Sequence, residues 1–331
     1  MNIIAVIAVF QLAFVQKKNQ VYIIAFFNII SDIVQMFLGT FYLCPSIITD
    51  SYLVGNEKKT TATLLLGSTF LFFWYFETVT QMIMAINRCI VICLQKHRIF
   101  TFKSTLIIFI VLFPACFVTT YITQYYSPCC SFLFDQTVLS YSYYAIPGIP
   151  NYSNEFDLPL NATSSAISAF CYILIFWTVH NSAPIATTTI SMVVSKRNRD
   201  IKYAIQFAMI LVFYVITWVL FRLLPIVLIN RNIEWFILVP TFFTMNCTSN
   251  AIIYLGFNSE VQSNVRIRVV REFLQVISNE KTSVVPTPTA TISQPHSQPK
   301  LTAVPKIFHT QPFRAIQKHL SPHKHVNNLN A

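Results

Sequence analysis

Apolar residues in this chain come in long, nearly unbroken runs, and polar residues gather in short intervals between them. A helix needs about 20 apolar residues to cross a hydrocarbon core about 30 Å thick. Runs of that kind occupy 21–47, 61–94, 104–126, 164–194, 201–229 and 233–257, and a weaker one covers 1–15. Lipid offers no partner to an open strand edge, so the runs predict helices. They are too long and too continuously apolar for barrel strands. At 1.5 Å per residue the 1–15 run reaches only about 22 Å. It lacks the basic n-region and small-residue cleavage site of a signal peptide, and reads as a truncated or mis-started first helix, which would place the natural start upstream of Met1.

Composition agrees with lipid as the solvent. Of 331 residues, 54% are hydrophobic and 11% charged, against about 25% charged in a soluble domain. Only five Gly are present, which argues against a Gly-rich-loop enzyme. Basic residues then orient the bundle. One set of loops holds Lys17, Lys18, Arg88, Lys96, Arg98, Lys103, Lys196, Arg197, Arg199 and Lys202, and the tail is also basic. The opposite loops hold Lys58, Lys59 and Arg231. Cytoplasmic loops collect Lys and Arg, so the N-terminus is expected outside and the C-terminus inside, in a multi-pass plasma-membrane protein. The sequons at Asn151 and Asn161 fall in a long outer loop on this reading, where glycosylation takes place. An odd number of spans is then required, which keeps 1–15 as a span.

Cys44, Cys129, Cys130 and Cys171 are placed near the outer face, where disulfides persist. A bridge from Cys44 to Cys129 or Cys130 would tie the second span to the outer loop. Cys89 and Cys93 lie on the inner side, and Cys116 and Cys247 read as packing residues. After the last span, Val261, Val265, Val269 and Phe273 share a face, with Arg266, Arg268 and Arg271 beside it. Such a stretch lies on an anionic inner leaflet. The organisation is thus a membrane domain at 1–258, a surface helix at 259–278 and a disordered, cytoplasmic, Ser/Thr/Pro-rich tail at 279–331.

Asn250-Ala-Ile-Ile-Tyr254, near the inner end of the last span, resembles the Asn-Pro-x-x-Tyr motif of rhodopsin-like G-protein-coupled receptors, with Ala251 in place of Pro. Asn87-Arg88-Cys89 resembles their Asp-Arg-Tyr motif, with Asn87 in place of Asp. Asp32 sits mid-span in the second helix, where that family keeps a buried Asp. Lys96-His-Arg-Ile-Phe100 after Arg88, and Cys129-Cys-Ser-Phe-Leu-Phe-Asp135 in the outer loop, are similar to the nematode serpentine chemoreceptors of class x, Srx. The departures are plain. Thr60, Thr61 and Thr63 stand where the third helix usually carries a Cys, and Trp218 lacks its nearby Pro, Pro225 coming seven residues later.

The resemblance implies a rhodopsin-like seven-transmembrane helix bundle that binds a small molecule in its outer half and signals to a heterotrimeric G protein, in chemosensation and sensory cilia. Steps of three and four residues outward from Arg88 place Met84, Gln81, Glu77, Trp74 and Phe70 on one stripe of the third helix. Phe70, Trp74 and Tyr75 with Trp218 and Arg222 are then the expected ligand-binding residues. Arg222 either snorkels to the outer interface or offers its fork to a carboxylate ligand. Asn87, Arg88, Asn250 and Tyr254 form the expected coupling switch. Asp32, Glu77, Asn246 and Ser249 form a mid-membrane polar network, where the resemblance implies a sodium-linked switch at Asp32 and Glu77. No catalytic constellation, resident cofactor or nucleic-acid partner is expected. A neuropeptide receptor of the same fold and an ion- or proton-coupled transporter using Asp32, Glu77 and Arg222 are the alternatives. Internal repeats and Gly- or Pro-broken helices, the marks of transporters, are not evident.

Overall fold

The computed structural model describes residues 1–55, 57–96, 99–127, 129–144, 146–181, 190–227 and 233–266, of which 190–204, 207, 225, 226 and 233 are described by backbone alone. The predicted tail, most of the predicted surface helix, and His97, Arg98 and Arg231 lie outside the described residues. Among the described residues, seven principal helices run in chain order: α1 (Asn2–Val15), α2 (Val21–Thr49), α3 (Thr61–Cys93), α4 (Phe102–Tyr126), α5 (Tyr152–Asn181), α6 (Ile190–Val227) and α7 (Glu234–Phe257). Residues 259–266 are again helical.

Local chemistry sets several boundaries. Thr60 starts α3 with a capping box, exchanging side-chain and backbone hydrogen bonds with Thr63. Thr101 caps α4 through the Ser104 amide at 3.1 Å. In α2 a wider π turn at Gly39–Leu43 precedes Pro45. Pro lacks the N–H that would bond back into this turn, and the π turn absorbs the irregularity.

Helix α3 is the centre, packed against α2, α4, α5 and the outer loop. The distribution of polarity is that of a bundle in lipid. Ile107, Ile110, Phe117, Phe170, Phe176 and Trp177 are exposed, while Asp32, Gln35, Glu77 and Asn246 are fully buried. A soluble protein does the reverse.

Two features depart from the expected layout. Helix α5 starts at Tyr152 rather than 164, and it is described as far as Asn181. Its first turns carry Ser153, Asp157 and Asn161, which look like loop by hydropathy, yet all three are buried against other helices. The outer loop is therefore shorter than expected, and it contains strands. Strands β1 (Phe132–Asp135) and β2 (Ser140–Tyr143) pair antiparallel, with Phe132 opposite Tyr143 and Phe134 opposite Tyr141.

The hairpin is held down onto the bundle. Gln124 of α4 grips Phe132 with both ends of its amide: its Oε1 accepts from the Phe132 N–H at 2.6 Å and its Nε2 donates to the Phe132 carbonyl at 3.1 Å. Gly67 of α3 lies directly beneath that carbonyl, where a Cβ would collide with it. Lys58, in the loop before α3, forms an ion pair with Asp135. Burial alone would push the Asp135 carboxyl up. Hydrogen bonds from Lys58, Thr137 and Ser142, with the Lys58 charge, outweigh this and hold it below its ordinary value. Cys129 and Cys130 are bonded to each other and Cys44 is a free thiol. The expected bridge to Cys44 is thus absent, and a bond between adjacent residues ties the hairpin to no helix.

The candidate ligand pocket and the polar core below it

Side chains of α3, the hairpin, α5, α6 and α7 border a small cavity of about 30 Å³ in the outer half of the bundle. Phe70, Leu71 and Trp74 line it from α3. The hairpin contributes Phe132, Tyr141 and Tyr143, α5 contributes Asp157, α6 contributes Thr217 and Phe221, and α7 contributes Val239 and Phe243. Phe70 stacks on Phe132 at 5.3 Å and meets Phe243 at 5.0 Å. The hairpin is thus part of the wall as well as the roof.

Of the expected ligand residues, Phe70 and Trp74 face this space. Tyr75 is not among the lining residues and packs against Phe156 at 6.0 Å. Trp218 packs against the core outside the lining. Arg222 does not snorkel: one of its guanidinium nitrogens is paired with Asp157, while its Nε is buried without a hydrogen-bond partner among the described residues. The partner went unseen because Asp157 lies in the segment read as loop. Asp157 also accepts from the Asn161 amide at 2.6 Å, and the Trp74 indole is directed to it. Asn161 accepts from Thr78 at 3.2 Å and from the Tyr214 hydroxyl. Asn161 is completely buried and its Nδ2 is occupied by Asp157, so this sequon has no room for a glycan. Asn151 is half-buried just before α5, with only its Oδ1 engaged, by the Asn154 amide at 2.9 Å.

One turn below Trp74, the mid-membrane carboxylates meet. Ligand atoms of Asp32, Glu77 and Cys247 lie within 4.8 Å of one another. Asn250 donates to Asp32 at 2.8 Å. Gln35, Gln81 and Asn246 donate to Glu77 at 2.9, 2.8 and 3.1 Å. Ser249 instead bonds the Asn246 carbonyl at 2.7 Å, closing its own helix turn. Sequence reading missed Gln35, although it lies three residues from Asp32 and so on the same face of α2. It also took Cys247 for simple packing. The Asp32 Oδ1, Gln35 Oε1, Asn246 Oδ1 and Asn250 Oδ1 are buried without a hydrogen-bond partner among the described residues. Such a ring of hard oxygen donors around two carboxylates fits a small hard cation by donor type.

Further in, Asn28, Gln81, Met84, Ser168, Tyr172 and Asn250 border a second, smaller cavity of about 20 Å³. Asn87 and Tyr254 are buried at this end, and Arg88 lies beside Tyr172. Cys171 is also here, near Cys89 and Cys93, and not near the outer face as expected. Gln16 and Tyr22, flanking the first basic loop, bond Asn264 at 3.0 Å and Glu260 at 2.8 Å. The early basic loop and the helical segment after α7 therefore share one end, while Lys58 and the hairpin mark the other.

Comparison with known proteins agrees with this geometry. Among solved structures, squid rhodopsin superposes with a TM-score of 0.65 over 87% of this chain and 89% of its own, at 13% identity. That likeness speaks to the fold. No curated protein matches the chain in sequence. Residues 1–258 match the family described as serpentine-type seven-transmembrane GPCR chemoreceptor Srx. The chain belongs to the Srx family of serpentine G-protein-coupled chemoreceptors.

Proposed function

We propose that the protein is a plasma-membrane chemoreceptor that binds a small molecule in the outer pocket and activates a heterotrimeric G protein at the Arg88 end. The observation that carries this reading is the course of α3. One helix bears pocket walls Phe70 and Trp74, nest residues Glu77 and Gln81, and then Asn87 and Arg88. Movement of its outer half against α6 and α7 is therefore tied to its inner end through one packed element. The lopsided distribution of basic loops supports an outside N-terminus and a cytoplasmic C-terminus. In this orientation the pocket lies in the outward half, beside the hairpin, and the helical residues 259–266 lie at the inner leaflet.

Asp32 and Glu77, with Gln35, Asn246 and Asn250, are the residues that would hold a sodium ion. The ion would supply the positive charge that lets two buried carboxylates stay ionised side by side. Arg88 presents a delocalised, always-charged fork suited to carbonyl acceptors on a G-protein helix. Asn250 and Tyr254 would switch beside it.

The test is a cell line reporting G-protein activation, screened with a library of volatile and water-soluble small molecules. Activation by at least one compound is expected, weakened by Phe70→Ala and abolished by Arg88→Ala at equal surface level. Activators that ignore both substitutions would contradict the assignment.

A further inference from the structure

We propose that the outer pocket selects ligands without net charge, and that the Asp157–Arg222 pair enforces this selection. The inference rests on the ligand-pocket reading above and adds the chemical class of the ligand.

Among the described lining residues, Asp157 is the one charged group, in a wall otherwise dominated by aromatic rings. Its side chain is 3% exposed and that of Arg222 is 16% exposed. An aromatic box with a carboxylate in its wall looks at first like a cage for ammonium ions. Here, however, the carboxylate is already committed. Arg222 takes one oxygen, the Asn161 amide takes the other, and the Trp74 indole is directed to the same group. The pocket therefore faces a neutralised dipole.

Each class of charged ligand must break this pair or press a third, uncompensated charge against it. An organic acid could bond the Arg222 Nε, which has no partner among the described residues, only by setting two carboxylates against one guanidinium away from water, or else by drawing Arg222 off and leaving Asp157 buried alone. An ammonium would have to take Asp157, leaving the guanidinium alone. Removing one partner from a buried pair is much worse than never having formed it, because the remaining charge is stranded away from water. An uncharged ligand leaves the pair intact. It can bury its apolar surface against Phe70, Phe132, Tyr141 and Phe243 and can still donate one hydroxyl hydrogen bond to a lone pair of Asp157. The expected ligand is thus a small uncharged lipophile with few polar groups. Specificity of this kind is built from a penalty against the wrong class rather than from added attraction to the right one.

The arrangement makes a switch in preference predictable. Asp157→Asn leaves Arg222 without its counter-charge and should turn the pocket toward acids. Arg222→Gln leaves Asp157 without its counter-charge and should turn it toward amines.

The test uses full-length receptor in lipid nanodiscs, titrated with phenethyl alcohol, phenylacetate, phenethylammonium and the methyl ester of phenylacetate. These probes share one frame and differ in charge, and binding is read from tryptophan fluorescence with Phe70→Ala as the pocket control. In the wild type, the alcohol and the ester should each bind at least tenfold tighter than either ion. Asp157→Asn should raise phenylacetate affinity at least tenfold, and Arg222→Gln should do the same for phenethylammonium. Arg222→Lys, which keeps the charge, should keep the preference for neutral probes. The wild-type ranking needs no variant, so a variant that fails to fold leaves the proposal exposed to refutation. Equal or tighter binding of either ion to the wild type, no binding of the neutral probes, or single variants that bind but do not reorder the probes would overturn it. Neutral probes that bind indifferently to Phe70→Ala would instead overturn the pocket reading on which it stands.

Discussion

Replacing Gly67 by Ala should release the outer hairpin. Gly67 sits under the Phe132 carbonyl, and an added Cβ would lie inside contact distance of that oxygen and 3.2 Å from the carbonyl carbon. Backbone atoms cannot swing aside as a side-chain tip can, so the hairpin has to retreat. Retreat breaks both Gln124 hydrogen bonds to Phe132, at about 0.5–1.5 kcal/mol each. It also separates Phe132 from Phe70, a ring contact worth about 0.5–1.5 kcal/mol. The sum is about 3 kcal/mol, or about a hundredfold in the equilibrium between docked and open hairpin, at 1.4 kcal/mol per tenfold. Helix α3 itself should not suffer, since Ala is a better helix former than Gly by about 1 kcal/mol. Hydrogen exchange of the amides in 132–143 should therefore accelerate by one to two orders of magnitude, with α3 exchange unchanged. A second arm concerns the cysteines. Because Cys129 and Cys130 are bonded to each other, reductant should leave hairpin protection in the wild type intact. Unchanged protection in Gly67→Ala, or release of the wild-type hairpin by reductant, would refute the claim that packing and Gln124 hold it.

Three further outcomes follow from the same contacts. Asn151→Gln should remove the glycan, whereas Asn161→Gln should leave glycosylation unchanged and lower thermal stability, because Asn161 joins Asp157, Thr78 and Tyr214; a mobility shift after glycosidase digestion checks both. Asp157→Ala should destabilise the folded receptor by about 3–5 kcal/mol, the cost of stranding one member of a buried pair, and the double variant Asp157→Ala/Arg222→Ala should recover part of that loss in a melting assay. The Asp135 carboxyl is held below its ordinary value, so its contribution is complete above about pH 4 and is lost as pH falls through the lowered folded value; hairpin protection should weaken only in that acidic window, and Lys58→Met should remove most of the pH dependence.

Much of the bundle was legible because lipid imposes a simple rule on α2, α3, α4 and α7: long apolar stretches become helices. The stripe from Arg88 through Glu77 to Phe70 was readable for the same reason, since helical geometry alone puts these residues on one face. Asp32 and Glu77 stood out as carboxylates in apolar runs, and they do meet. The failures share a physical cause. Hydropathy records how polar a segment is and not what it faces. The first turns of α5 carry Asp157 and Asn161, so they looked like loop, yet their polar groups bond Arg222, Tyr214 and Thr78 inside the bundle. Arg222 was consequently read without its partner. The hairpin escaped notice because its strands are four residues each and fully buried in β1, which leaves no polar–apolar alternation to detect. Adjacent cysteines gave no hint that they would bond each other.

The central claim is that this chain is a receptor whose inner end, at Arg88, drives nucleotide exchange on a G protein. Its most direct test is the rate of GTP loading onto purified heterotrimeric G proteins, one from each major class, by the receptor in nanodiscs with and without the neutral ligands that bind its pocket. The account predicts that at least one class loads faster with wild-type receptor, that bound ligand changes that rate, and that Arg88→Ala at equal receptor density returns it to the receptor-free level. Loading that no class accelerates, or acceleration that survives Arg88→Ala unchanged, would contradict it.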